Sequence, residues 1–292
     1  MYFLTYLYKG QENYGILNKE KDRVIPLGGI FKGKTLNDFI CTFNDSMLEN
    51  IHGLMKSSNL NSIPLTEVKL LAPIPYPKRS LFCLGKNYLD HAKEVVGLPG
   101  ADDNIPKFPI YFSKIGNPAI GHLDMIKNHR EITEMIDYEV ELAVILGKDG
   151  INIREEDAEE YIFGYTIVND ISARNLQRKH NQWFKGKSLE TFCPMGPYIV
   201  HKSQIPFPVE LNIKCSVNGE IRQDSNTKNM IFNIPHIISD LSKGMELKAG
   251  DIIITGTPSG VGLGFSPFKF LNSKDKVECH IEKIGTLTNF IE

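Results

Sequence analysis

Two glutamates one residue apart, Glu139 and Glu141, sit in the alternating run Asp137-Tyr-Glu-Val-Glu-Leu-Ala-Val-Ile-Leu146. In a strand, successive side chains point to opposite faces, so both carboxylates share one face about 6 to 7 Å apart, and Val140, Leu142 and Val144 take the other. Two acids so placed can converge on one cation. An amphipathic strand with its acids in water reads the same way, and taken alone the pattern favours that simpler reading. The acidic face, however, turns apolar at Ala143 and Ile145, which puts the glutamates at the rim of buried surface. A third carboxylate, Asp170, ends the strand-like run FGYTIVND before a polar turn, where functional side chains collect. On its own it would as readily cap a helix. Three carboxylates without a histidine select a hard ion, Mg²⁺ or Mn²⁺ with Ca²⁺ as a third candidate, over zinc or copper. About half of an octahedron then stays open to water and to a 2-oxo acid, which chelates through its carboxylate and adjacent carbonyl.

Further groups flank this set. His91 and Glu94, three apart in NYLDHAKEV, fall on one face of a short helix and can hydrogen-bond, the carboxylate orienting the imidazole as a general base. A surface His-Glu pair has the same spacing. Arg174 and Gln177 follow Asp170 closely and suit a distal carboxylate or carbonyl of the substrate, the guanidinium fork being the better anchor; a loop salt bridge is the alternative. The segment Thr255-Gly-Thr-Pro-Ser-Gly-Val-Gly262 is glycine-rich but lacks the GK[ST] ending of a phosphate loop and the spacing of a dinucleotide fingerprint. Its backbone and the Thr257 hydroxyl are expected to line a substrate carboxylate, or else to form a tight turn.

The elements that must position these groups read as mostly β. Residues 1–70 form a small β-rich N-terminal domain, with strands near 2–8, 15–18 and 24–27, a turn at Gly10, and a helical stretch over 35–60. Prolines 73, 75 and 77 suggest a linker over 71–79. From residue 80 to 292, short apolar runs separated by Gly, Pro, Asn and Asp predict strands near 81–84, 110–112, 138–146, 161–168, 198–200, 211–217, 252–255 and 277–281. Helices are expected near 88–95, 154–159 and 235–242, the last stopped by Gly244. The fold class is α+β. A breaker-rich stretch, Val95 to Pro106, is the expected lid.

Composition excludes other classes. A formal charge of -2 creates no field for nucleic acid or an anionic membrane. No window approaches the ~20 apolar residues of a membrane helix. Five dispersed cysteines suit reduced thiols, and with no signal segment the expected location is cytoplasmic.

Five strings in order, LGKNYLDHAKEV, DYEVELAVILG, GYTIVNDISARNLQ, WFKGKSLETFCPMGP and ITGTPSGVG, resemble the fumarylacetoacetate hydrolase family. The resemblance implies a mixed β-roll or sandwich catalytic domain, a homodimer, and Mg²⁺ or Mn²⁺ held by Glu139, Glu141 and Asp170. It also implies a catalytic His91-Glu94 pair and a role for Lys187 beside the metal; unaided, Lys187 reads as a surface lysine. The implied substrates are small 2-oxo acids, acylpyruvates and their kin, with a metal-stabilised enolate formed during C–C hydrolysis or decarboxylation. The alternatives are a 2-hydroxyhepta-2,4-diene-1,7-dioate-type isomerase (a tautomerase) and a non-catalytic metal-binding relative. One departure is Asn175, where many relatives carry Asp.

Overall fold

The opening hairpin shows how local chemistry builds the sheet. In this computed structural model, which describes residues 1–56, 61–95 and 105–292, β1 (Tyr2–Tyr8) and β2 (Gln11–Leu17) pair antiparallel across Lys9 and Gly10. Both turn residues have positive φ, 49° and 78°, the backbone that a two-residue hairpin needs to match strand twist. Next come β3 (Arg23–Pro26), α1 (Leu36–Thr42), α2 (Asp45–Lys56), β4 (Ile63–Pro64) and β5 (Lys69–Leu70). The single helical stretch expected over 35–60 is thus two helices. Phe43 is extended (φ -62°, ψ 139°), and Asn44 Oδ1 accepts from Met47 N–H, which starts the second. The break lets the Phe43 ring pack edge-on against Phe163 at 5.0 Å.

The rest of the chain supplies β6 (Leu81–Gly85), α3 (Leu89–Glu94), β7 (Ile110–Lys114), β8 (Met125–Ile126), β9 (Ile136–Asp137), β10 (Val140–Leu146), α4 (Ala158–Tyr161), β11 (Ile162–Asn169), β12 (Ser172–Ala173), α5 (Arg174–Lys179), α6 (Phe184–Lys187) and β13 (Met195–His201). After these follow β14 (Asn212–Val217), β15 (Glu220–Asn226), α7 (Ile234–Ser242), β16 (Ile252–Ile254), β17 (Lys276–Ile281) and β18 (Gly285–Ile291). One large mixed sheet runs β4-β3-β2-β1-β13-β11-β10-β16-β6-β7, with β5 beside β1, and a second runs β15-β14-β17-β18-β8. A small β12-β9 pair stands apart. The α+β, mostly β class expected from the sequence is the one observed.

β10 lies in the middle of the large sheet, and every one of its residues is buried. Its alternation sorts side chains between two cores: Val140, Leu142 and Val144 into one, Ala143 and Ile145 into the other. The second core also takes Phe3, Tyr14 and Phe39 from the N-terminal segment, and β1 pairs with β13. In the proline segment 71–79, residues 72–74 and Pro77 are buried while Tyr76, Lys78 and Arg79 are exposed. Ala72 and Ile74 are buried, and Thr5 Oγ1 donates to Pro73 O at 2.7 Å. Prolines suit this place because extended backbone without amide donors can lie against a sheet with few groups to satisfy. The expected lid falls largely on 96–104, outside the described residues. Among the described residues no helix is long and apolar enough to cross a membrane.

Candidate metal centre and active site

Glu139 immediately precedes β10, Glu141 lies within it, and Asp170 follows β11. Adjacent strand ends therefore carry all three carboxylates. Asp170 N–H donates to Glu139 O at 2.8 Å, and Asn169 Oδ1 accepts from Glu139 N–H at 3.0 Å, fixing one strand end on the other. One carboxylate oxygen from each of the three residues lies within 4.8 Å of the other two, and all three side chains are buried. The three acids read from the sequence thus converge, at a far deeper site than a wet strand face.

Charge decides what this cluster can hold. Lys187 Nζ, at the end of α6, donates to Glu139 Oε2 at 2.7 Å and Asp170 Oδ2 at 2.6 Å. Arg174, opening α5, places Nε 2.9 Å from Asp137 Oδ2 and Nη1 2.7 Å from Glu139 Oε1. Lys114 Nζ, wholly buried at the end of β7, lies 2.7 Å from Asp170 Oδ1. Of four buried carboxylates, Asp137, Glu139 and Asp170 thus form ion pairs with these three cations, and one negative charge is left outside those pairs. It falls on Glu141, which accepts the Gly256 N–H at 2.5 Å and ion-pairs with none of the described cations. Burial pushes the Glu141 carboxyl well above its usual range, and repulsion from Asp170 and Glu139 adds to this. Burial would raise Glu139 too, but Lys187, Arg174 and His91 outweigh it and hold that carboxyl low. Lys187 is held above its usual value because Asp170 and Glu139 outweigh its own desolvation. Three converging oxygen donors with surplus negative charge fit a hard divalent cation.

The other wall carries the base. On α3, His91 Nδ1 lies 3.0 Å from Glu94 Oε2, and Gly260 N–H donates to Glu94 Oε1 at 2.8 Å. Gly260 has φ +100°, and a Cβ there would sit 1.8 Å from Arg222 O. Gly260→Ala is therefore expected to destabilise the fold by about 1–3 kcal/mol and to loosen the His91-Glu94 pair. Urea unfolding with a midpoint within error of wild type would contradict this.

His91, Glu139, Glu141, Arg174, Gln177 and Lys187 open on one cavity of about 190 Å³. Arg174 Nη1 also donates to Gln177 Oε1 at 3.1 Å, while Arg174 Nη2 is buried without a hydrogen-bond partner. Thr257 lines the cavity as well, but not as the hydroxyl donor expected. Its Oγ1 donates to Val140 O at 2.9 Å and accepts from Gln223 Nε2 at 2.7 Å, so its proton is committed to the strand. Trp183 closes one side, its ring against Gly85 and edge-on to Phe112 at 5.2 Å.

Comparison with known proteins places this geometry. Residues 80–292 match the sequence profile described as fumarylacetoacetate (FAA) hydrolase C-terminal. The chain belongs to the fumarylacetoacetate hydrolase family. Oxaloacetate tautomerase YisK of Bacillus subtilis is 56% identical over 227 residues, 78% of this chain and 74% of that one. The fumarylacetoacetate hydrolase of the psychrophile Exiguobacterium antarcticum superposes with a TM-score of 0.85 at 35% identity, covering 100% of this chain and 99% of the other. A probable 2-hydroxyhepta-2,4-diene-1,7-dioate isomerase from Mycobacterium abscessus superposes with a TM-score of 0.80 at 30% identity, covering 100% and 98%.

Within this family member, Asn175 stands apart from the carboxylates. Its Oδ1 accepts from Thr133 Oγ1 at 2.7 Å and its Nδ2 donates to Ile132 O at 3.0 Å, a bond that an aspartate could not make. Three bracing residues escaped the sequence reading. Lys114 donates to Ile171 O at 3.1 Å and to Lys187 O, tying β7 to both halves of the cluster. Asp137 accepts the Gly262 and Leu263 N–H groups at 2.6 and 2.9 Å, anchoring the glycine-rich segment. Gln223 accepts from Val140 N–H at 3.1 Å and donates to Thr257. A lysine ending an apolar strand was the one visible signal among them.

Proposed function

We propose that the protein is a divalent-metal-dependent enzyme that moves a proton between C3 and the 2-oxo oxygen of a small 2-oxo acid, a keto–enol tautomerisation. The observation that carries this reading is the cavity lined by Glu139, Glu141, Arg174 and His91, with Asp170 converging on the two glutamates and Glu94 hydrogen-bonded to His91. The sequence favoured C–C hydrolysis or decarboxylation first. The name of the Bacillus subtilis relative supports the proton-transfer alternative, which needs no water aimed at a carbonyl.

A divalent cation held by Glu139, Glu141 and Asp170 would supply Lewis acidity to the 2-oxo group. The protein's own groups do the rest. Arg174 lines the cavity and is the cation suited to the substrate's carboxylate, its Nε and Nη1 being fixed by Asp137, Glu139 and Gln177. Glu94 accepts a proton-bearing His91 Nδ1, which leaves Nε2 as the basic nitrogen. Nε2 takes the C3 proton and holds it until it returns to carbon or passes to oxygen, so no atom is gained or lost overall. Apolar Leu84, Phe112, Trp183 and Leu263 around the cavity restrict water.

The test uses purified protein with Mg²⁺ or Mn²⁺, following the enol absorbance of oxaloacetate and, separately, cleavage of acetylpyruvate. Enol loss should be accelerated. His91→Asn should slow it about 10²- to 10⁴-fold, the usual share of a general base, while oxalate still binds. No acceleration by wild type with either metal would overturn the reading, and acetylpyruvate cleavage instead would return it to the hydrolase alternative.

A further inference from the structure

Along residues 138–142 the side chains alternate: Tyr138, Val140 and Leu142 pack into one core, while Glu139 and Glu141 line the cavity. Tyr138 is completely buried, and its Oη donates to Gly260 O at 2.9 Å. Gly260 in turn donates its N–H to Glu94 Oε1 at 2.8 Å, and Glu94 Oε2 lies 3.0 Å from His91 Nδ1. A run of hydrogen bonds therefore leads from the residue beside Glu139 to the imidazole on the other wall.

Gly260 needs such a hold. It lies between β16 and the helical turn Gly262–Gly264, outside any strand or helix, at a φ of +100° and with no side chain to anchor it. Three contacts set its orientation: Tyr138 on its carbonyl, Glu94 on its amide, and Arg222 O packed where a Cβ would collide. The Arg222 guanidinium also lies over the Tyr138 ring, 5.5 Å from its centroid, and so steadies the phenol. On the far side, Gly264 leaves Glu94 its space, since a Cβ there would overlap Oε1. The rest of the segment is pinned separately, Gly256 N–H on Glu141 and the Gly262 and Leu263 N–H groups on Asp137. Those bonds hold the segment as a whole. The Tyr138 bond meets the residue that holds Glu94.

We propose that Tyr138 is a positioning residue for the base: by holding Gly260 it fixes the Glu94 carboxylate and, through it, the direction in which His91 Nε2 faces the cavity. This rests on the reading of His91 as the base and adds the residue that ties it to the carboxylates. One short stretch of backbone thereby serves both halves of the site, presenting Glu139 and Glu141 from one face and steadying His91 from the other.

Tyr138→Phe keeps the buried ring and removes one oxygen. With Mg²⁺ present, kcat for oxaloacetate tautomerisation should fall about 10- to 100-fold, the scale of a displacement of a catalytic group by up to 1 Å, while KM and oxalate binding stay within about twofold. In a His91→Asn background the same change should cost nothing further, because a hydroxyl that acts through His91 has nothing left to act on. An equal loss in both backgrounds, an unchanged kcat in the single variant, or oxalate binding that falls in parallel with kcat would overturn the assignment. A second measurement is independent of turnover. In protein labelled with ¹⁵N-histidine, the His91 Nδ1–H proton, assigned by its absence from His91→Asn, should be sharp in wild type and broadened or lost in Tyr138→Phe. An unchanged resonance would overturn the proposal. If wild type tautomerises nothing yet this resonance depends on Tyr138, the tautomerase reading fails and the positioning role stands.

Discussion

Glu141→Gln is expected to stop turnover and, at the same time, to raise the melting temperature of the metal-free protein. Glu141 is the one member of the cluster that forms no ion pair, and its carboxyl is pushed well above the usual range by burial and by Asp170 and Glu139, which outweigh the opposing pull of Lys187. A carboxyl whose folded pKa is raised above its unfolded value contributes stability that is complete below the unfolded value and is lost as pH rises through the raised one. At neutral pH and above, the metal-free protein therefore carries a penalty that glutamine removes without changing shape. The gain should be on the order of 1 kcal/mol, since replacing a buried charge by a neutral group of similar volume is often stabilising, or about 2–4 °C. Loss of a cation ligand should lower kcat/KM by about 10³-fold or more, several kcal/mol of charge stabilisation at 1.36 kcal/mol per decade. Calorimetry with EDTA and then with Mg²⁺ checks both halves: added Mg²⁺ should raise the melting temperature of wild type and leave the variant unmoved. An active variant, or one less stable than wild type in EDTA at neutral pH, would sink the assignment of Glu141 to the metal.

The largest loss of stability is expected from Lys114→Met. Lys114 is completely buried and serves Asp170, Ile171 O and Lys187 O at once. Methionine fills similar space but leaves a buried carboxylate short of a cation and two carbonyls short of a donor. Breaking one side of a buried ion pair costs about 3–5 kcal/mol, which for a chain of this size lowers the melting temperature by on the order of 10 °C. Denaturant unfolding of the two proteins measures it. A shift under 1 kcal/mol would mean that Lys187 alone neutralises Asp170. Because Lys114 also holds the Lys187 carbonyl, Mg²⁺ affinity should fall along with stability.

What the sequence revealed follows from where side chains alternate. Run 140–146 alternates between two buried faces and run 276–281 buries every second residue, so both could be read as strands. β15 could not, because Glu220, Ile221 and Asp224 are exposed on a sheet edge and Gln223 alone is fully buried. The short α5 and α6 were also missed, since six and four residues leave no helical period to detect. Yet they carry Arg174, Gln177 and Lys187. The carboxylates were legible because ExE on a strand has a geometric meaning. Thr257 lines the cavity, but only the fold shows that Val140 O claims its hydroxyl proton. Asp137 and Lys114 act through backbone groups far along the chain, and no local spacing encodes that.

The position of β10 between β11 and β16 also governs when the site can exist. β16 pairs with β10 at Ala143 to Ile145, and Gly256, which holds Glu141, follows directly after it. A chain emerging from the ribosome therefore owns all three acids by residue 170 but cannot cradle them until residue 256 is made. Through that interval the half-built cluster has no wall behind Glu141 and no Gly260 amide to hold the Glu94 that orients His91. Synthesis order thus separates possession of the ligands from the ability to use them, and an unfinished chain is a poor ion trap.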